Sequence, residues 1–255
     1  MAPLPALIIV MGASGCGKST VGLSIATELG IPFVDGDDLH PAANVAKMSN
    51  GHPLNDEDRI PWLHKIRETA ILLTSPAGIA ALDRPANPPS PAEVHSAPLS
   101  HELAAAVQHV QPAALAARAK RTEAGVVRAR EACVIACSAL TVQYRNLLRG
   151  EEARFTLPDG REVVSESHLE RHIETYFVYL HGTRALLLKR MESRAGHFFK
   201  ASMLDSQLAT LQAPNETDEV NVAVVKLGQG DDEADERGLE AVCADAAERA
   251  RRMVG

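Results

Sequence analysis

The sequence predicts an α/β protein of three layers, with helices on both faces of a five-stranded parallel sheet. Three observations lead there: an unbroken apolar run passing straight into a glycine-rich loop, four further short apolar runs along the chain, and helical patterning between them.

The first run is Leu7, Ile8, Ile9, Val10 and Met11, the texture of a parallel strand buried on both faces. Beyond the glycines, Val21, Ile25 and Leu29 recur at helical spacing from Lys18, and Gly30 stands where a helix C-cap belongs. Residues 31–34 read as a second strand that delivers Asp35, Gly36, Asp37 and Asp38 at its C-terminal end, where open α/β sheets build their sites. On an extended segment Asp35 and Asp37 would project from one face. Asn55, followed by Asp56, Glu57 and Asp58, reads as a helix N-cap with an acidic first turn, and Ile60, Leu63 and Ile66 supply the apolar face. The remaining strands are expected at 133–136, 177–180 and 222–225.

Seven of the fifteen prolines fall between Pro76 and Pro112, interspersed with alanine, so residues 75–122 read as a loop-rich insertion. Its second half carries enough Ala, Leu and Arg for helix, with Pro112 as a break. A second excursion covers 151–175, with a turn at Asp159 and Gly160. The length of 255 residues is expected to form one domain, 1–255, with these insertions.

Composition narrows the function. A net charge of −7 and few aromatics argue against nucleic acid as a partner, while 45% hydrophobic residues can fill a sizeable core. The apolar run at 7–11 is too short to span a bilayer and lacks the basic flank of a secretory signal, so a cytoplasmic protein with no membrane partner is expected. Cys16, Cys133, Cys137 and Cys243 form neither a zinc ribbon nor a disulfide framework; Cys133 and Cys137 share a strand face and read as core thiols rather than metal ligands.

Gly12, Ala13, Ser14, Gly15, Cys16, Gly17, Lys18 and Ser19 match G-x-x-x-x-G-K-[ST] between a predicted strand and a predicted helix. Glycines let successive N–H groups curl towards a phosphate, the helix N-terminus adds positive potential, Lys18 bridges phosphates, and Ser19 can ligate Mg²⁺. An ordinary glycine-rich turn is the alternative, and phosphate binding alone does not separate a kinase from a switch or scaffold. Beside the loop, one of Asp35 and Asp37 can hold Mg²⁺ through water while the other takes the proton of an attacking hydroxyl; a solvated acidic turn is the bland reading.

More specific blocks surround these residues. They are 12–20 (GASGCGKST), 33–41 (FVDGDDLHP), Asn44, Lys47, Met48, Gly51, 53–59 (PLNDEDR), Pro61, Trp62 and Leu63. They resume as 136–140 (ACSAL), Tyr144, Arg145 and 147–149 (LLR), then Arg194, 196–200 (GHFFK), Met203, Leu204, Gln207, Thr210 and Leu211. In these the chain resembles the gluconate kinases, a branch of the shikimate-kinase-like P-loop small-molecule kinases.

The resemblance implies a P-loop kinase fold with a helical lid at 190–212, ATP and Mg²⁺ as cofactors, and phosphorylation of D-gluconate to 6-phospho-D-gluconate. It places residues 12–19, Thr20, Arg190 and Arg194 at the nucleotide, and Ser19 and Asp35 at the metal. Lys18, Asp37 and Arg194 are the implied catalytic residues, with Asp37 the base. His40, Arg59, Ser138, Arg145 and His197 would meet the acceptor together with Asp37. Arg59 is the first choice for the gluconate carboxylate and Arg145 the second, because a planar guanidinium binds a carboxylate through two parallel hydrogen bonds. Arg190 and Arg194, four residues apart, share a helix face, for which solvent exposure is the alternative.

Two features depart from the compact form of that family, the 75–122 insertion and Gly228-Gln229-Gly230 after the fifth strand; the lack of an aspartate just after the third strand, which leaves Mg²⁺ to Ser19, Asp35 and water, is consistent with the resemblance. The insertion leaves assembly open, a homodimer included. A kinase of another sugar acid or polyol, and a nucleotide-gated interaction protein using the insertion, are the competing readings.

Overall fold

The computed structural model describes residues 3–83, 100–125, 130–157, 159–165, 173–193, 201–229 and 235–255. In chain order the first half comprises β1 (Ala6–Met11), α1 (Lys18–Leu29), β2 (Phe33–Asp35), a 3₁₀ turn at Gly36–Leu39, α2 (Ala42–Ser49), α3 (Asp56–Thr74) and α4 (Pro76–Leu82). Then come α5 (His101–Gln108), α6 (Pro112–Glu123), β3 (Ala132–Ala136), α7 (Val142–Arg149), β4 (Ala153–Thr156), β5 (Glu162–Ser165), β6 (Glu174–His181) and α8 (Arg184–Glu192). The chain finishes with α9 (Ala201–Thr210), β7 (Val222–Lys226), β8 (Gly228–Gln229), β9 (Asp235–Glu236) and α10 (Leu239–Val254).

Five strands form one parallel sheet in the order β2-β3-β1-β6-β7, at the five places the apolar runs predict. β1 lies at its centre, with Ile8 facing Val134 of β3 on one side and Tyr176 of β6 on the other. All six β1 residues are fully buried, and their alternation divides the core in two. Ala6, Ile8 and Val10 pack with Val21 and Ile25 of α1, Ala114 of α6 and Val242 and Ala246 of α10. Leu7, Ile9 and Met11 pack with Leu63 and Ile66 of α3, Ala106 of α5 and Leu147 and Leu148 of α7. Burying each large aliphatic of β1 contributes about 1.5–3 kcal/mol, which makes this strand the anchor of both layers.

The chain winds one way from β1 to β2 and the other way from β3 to β6, so the reversal falls at the β1/β3 pair. Open sheets of this kind bind ligands at the C-terminal ends of the strands beside such a reversal, and the glycine-rich loop follows β1 there.

Two expectations change. The loop-rich reading of 75–122 gives way to helix at 76–82, while the second half is helical as expected, over 101–108 and 112–123; Pro76 and Pro112 each stand in the first turn of a helix, where a missing N–H costs nothing. Arg118 of α6, 1% exposed, grips both carboxylate oxygens of Asp83 at 2.7 and 3.1 Å, tying the end of α4 to α6. Asp35 and Asp37 do not alternate along an extended strand either. The Asp35 carboxylate accepts the Asp37 N–H at 3.1 Å, and the chain tightens into the 3₁₀ turn at once.

The 151–175 excursion contains a β4–β5 hairpin with Gly160 at positive φ. Gly228 and Gln229 after β7 pair antiparallel with Glu236 and Asp235. No helix among the described residues is long and apolar enough to cross a membrane.

Candidate active site

The glycine-rich loop owes its shape to glycines at positive φ, Gly12 at 143°, Gly15 at 82° and Gly17 at 91°. Gly12 also admits no side chain, since a Cβ there would stand 2.9 Å from Cys16 Sγ and from the Leu180 carbonyl. Ala13 and Cys16 turn their side chains into the core, which leaves backbone to line the loop. α1 begins at Lys18, so its unpaired N–H groups and positive end point into the loop. Lys18 Nζ donates to the Gly12 and Ala13 carbonyls, each at 3.1 Å. Ser19 and Thr20 are exposed in the first turn of the helix.

Two neighbours reach this loop from the far end of the chain. The Ser14 N–H donates to Gln207 Oε1 of α9 at 2.7 Å. Arg190 of α8 donates from Nη1 to the Cys16 carbonyl at 3.3 Å and from Nε to Glu236 at 2.7 Å. Arg190 thus stands against the loop; Arg194 and His197 lie outside the described residues.

The acidic turn closes on the same place. Ser19 Oγ donates to Asp35 Oδ2 at 2.5 Å, while Asp35 Oδ1 holds the Asp37 N–H. Gly36 makes the approach possible: a Cβ there would lie 2.3 Å from the Ala136 carbonyl of β3. Asp37 keeps its surface open to solvent yet sits within enclosing walls. That enclosure, then the Asp35 carboxylate and the lesser contribution of Asp38, raise its pKa above the usual carboxylate value against the pull of Lys18. A carboxyl tuned upwards beside a lysine and a phosphate-type loop has the character of a general base.

A second group stands on α3 and the turn before α2. The Trp62 indole donates to the Gly36 carbonyl at 2.7 Å and stacks on His40, with ring centroids 4.1 Å apart and an interplanar angle of 14°. Burial, and then the charge of Arg59, push the His40 pKa down to about 4, so its ring is neutral at physiological pH. Arg59 is half-buried and donates from Nη1 to Tyr144 Oη at 3.0 Å. α3 starts with a reciprocal cap in which Asn55 and Asp58 bond each other's backbone N–H, placing Arg59 in its first turn.

Arg145 is not an acceptor residue in this structure. Its guanidinium is fully buried and all three nitrogens are engaged: Nε and Nη2 with the Glu219 carboxylate, Nη1 with the Ala139 carbonyl, Nη2 also with the Gln212 carbonyl. It fastens α7 to the segment before β7. Ser138 stands half-buried just past β3, between buried Cys137, whose N–H bonds the Val10 carbonyl, and Ala139 at φ 43°. Burial pushes the Cys137 thiol up to about 12 and raises Cys133 as well, so both are inert core thiols. No group of three or more His, Cys, Asp or Glu among the described residues could hold a metal by itself.

Sequence reasoning gave no role to Gln207, Trp62 or Tyr144. Each acts through a partner distant in the chain, and the signal the sequence held was their place in the blocks that resemble the gluconate kinases.

A phosphate loop at the sheet's reversal point, with a carboxylate pair at its mouth, defines a P-loop phosphotransferase, and the shikimate kinase profile matches residues 14–59. The gluconokinase of Gluconobacter oxydans (strain 621H) is 34% identical over 216 residues, 85% of this chain and 80% of that protein. The thermoresistant gluconokinase of Escherichia coli (strain K12) is 30% identical over 223 residues, 88% and 85% respectively. A crystal structure of a gluconokinase from Sinorhizobium meliloti 1021 aligns with 98% of this chain and 94% of its own, at 31% identity and a TM-score of 0.58. The chain belongs to the gluconokinase family, within the shikimate-kinase-like phosphotransferases.

Proposed function

We propose that this protein transfers the γ-phosphoryl group of ATP to the C6 hydroxyl of D-gluconate in the cytoplasm, releasing ADP and 6-phospho-D-gluconate. The observation that carries the reading is the meeting of Ser19, Asp35 and the upward-tuned Asp37 at the mouth of the glycine-rich loop.

The loop N–H groups and the N-terminus of α1 bind the phosphates, with Lys18 following the charge that develops on them. Asp37 accepts the proton of the acceptor hydroxyl as its oxygen attacks. Ser19 and Asp35 fit a Mg²⁺ ion, since a hydroxyl and one carboxylate side by side form the sparse hard-oxygen set that phosphates and water complete. When bound, that ion supplies positive charge to the β- and γ-phosphate oxygens. Arg59 binds the carboxylate of gluconate, while neutral His40 and Ser138 bond hydroxyls along the chain of the acid. Arg190 and Arg194 are the arginines assigned to the nucleotide phosphates, and His197 is assigned to the acceptor.

The test is ADP release in a coupled assay with Mg-ATP and a panel of acceptors: gluconate, other sugar acids, sorbitol, glucose and none. Gluconate should be preferred by at least about tenfold in kcat/KM, a difference of roughly 1.4 kcal/mol. Preference for another acceptor, or ADP release independent of any, overturns the reading.

A further inference from the structure

Arg59 does not stand alone. Its Nη1 donates to Tyr144 Oη at 3.0 Å, and Tyr144 Oη donates in turn to the Asp56 carboxylate. The direction of this chain is fixed by chemistry. A tyrosine hydroxyl has one proton, and the proton goes to the carboxylate because arginine has nothing to accept with. The lone pairs of Tyr144 therefore face Arg59. Burial pushes the Tyr144 pKa up to about 12, so the hydroxyl keeps its proton across the physiological range.

Tyr144 is itself packed in place. It is 3% exposed, its ring lies 6.1 Å from that of Phe155, and its backbone N–H is held by Thr141 Oγ1 at the start of α7. Arg59 Cζ also sits 5.7 Å from the Tyr144 ring centroid, so the ring flanks the guanidinium while the hydroxyl fixes one nitrogen. Among the described residues Nη1 is the atom of Arg59 thus engaged, which leaves the Nε–Nη2 edge for a planar anion.

We infer that Tyr144, oriented by Asp56, is a positioning residue for acceptor specificity: it holds the Arg59 guanidinium in the orientation that reads a carboxylate. The inference rests on the assignment of Arg59 to the gluconate carboxylate. A free arginine side chain carries about 2 kcal/mol of rotamer entropy, and a pre-set guanidinium loses less of it when the acid binds. The role is one of binding, so it acts on KM for the acid and leaves the phosphoryl-transfer step to other residues.

The experiment compares wild type, Tyr144→Phe, Asp56→Ala and the double variant, measuring kcat and KM for gluconate, KM for ATP, kcat/KM for glucose, and Tm. Tyr144→Phe keeps the ring and removes only the hydroxyl. The expected result is a rise of about 5- to 20-fold in KM for gluconate, with KM for ATP and kcat/KM for glucose held. Asp56→Ala should move the same parameter, and the double variant should be no worse than the poorer single one, because both act through one guanidinium. An unchanged KM for gluconate in Tyr144→Phe overturns the inference. So does a parallel loss for gluconate, glucose and ATP, which would mark a structural role. If Tyr144→Phe does not fold, Asp56→Ala with the same readouts decides. A wild-type enzyme that ignores gluconate overturns the functional reading itself, an outcome distinct from a gluconate kinase indifferent to Tyr144.

Discussion

Gln207 Oε1 accepts the backbone N–H of Ser14 at 2.7 Å, so a side chain on α9 stands on a donor of the phosphate loop. A phosphate oxygen that uses this N–H displaces the amide, which couples the nucleotide to α9. Gln207→Glu places a formal negative charge against a loop built to attract anions. KM for ATP should rise by about 3- to 10-fold, measured at saturating acceptor, with a smaller effect on KM for gluconate. An unchanged KM for ATP would mean that the contact does not persist in the working enzyme.

Asp37→Asn keeps the shape of the site and removes the proton acceptor, so kcat should fall by roughly 10²–10⁴-fold with ATP affinity largely retained. Stability should move the other way. A carboxyl whose folded pKa lies above its unfolded value favours the folded state below the unfolded pKa, and that contribution is lost as pH rises through the folded one. Asparagine escapes that loss, so Asp37→Asn should melt higher than wild type at pH 7, the gap closing below about pH 4. Thermal melts at the two pH values check this, and a lower Tm at pH 7 would contradict it.

The same raised pKa sets the acid limb of activity. As pH falls, Asp37 takes up a proton before an ordinary aspartate would, and kcat/KM should begin to decline at a higher pH than an unperturbed aspartate would set. His40, held down to about 4, contributes no limb between pH 5 and 8. A pH profile of the His40→Asn variant should therefore keep its acid limb where the wild type has it.

If Arg59 reads the carboxylate as proposed, Arg59→Ala removes the charge that separates gluconate from neutral glucose. The loss in kcat/KM for gluconate should be on the order of 30- to 1000-fold, with little change for glucose. Equal gluconate-to-glucose ratios in variant and wild type would show that another group reads the acid.

Glu219→Gln tests the other arginine. It leaves fully buried Arg145 without its ionised partner, and breaking such a pair costs about 3–5 kcal/mol of stability. Chemical denaturation should show that loss, while KM for gluconate measured well below the melting transition stays near the wild-type value. A selective rise in that KM would return Arg145 to the acceptor.

What was legible in the sequence was what neighbouring residues decide. The strand from Ala6 to Met11, the loop and α1 follow from apolar patterning and glycine placement, and the structure has them with Gly30 as the αL cap. The capping box at Asn55 is equally local. Arg145 was misread because nothing near it announces that Glu219 waits 74 positions on. Pro76 was read as loop for a different reason, since a proline that starts a helix and one that interrupts the chain look alike until the following turn is seen; the break expected at Pro112 is there, between α5 and α6. Asp37 was expected on an extended segment, whereas its N–H bond to the Asp35 carboxylate, and not strand alternation, sets its place.

The reciprocal cap of Asn55 and Asp58 does more than satisfy two N–H groups, because it sets the angular phase of α3 from its first residue. Each residue of an α-helix advances about 100° around the axis and 1.5 Å along it. Arg59 follows Asp58 directly, so inserting or deleting one residue between cap and arginine would swing the guanidinium through that angle, away from Tyr144. The spacing from 55 to 59 is therefore as much a part of the acceptor site as the side chains it carries.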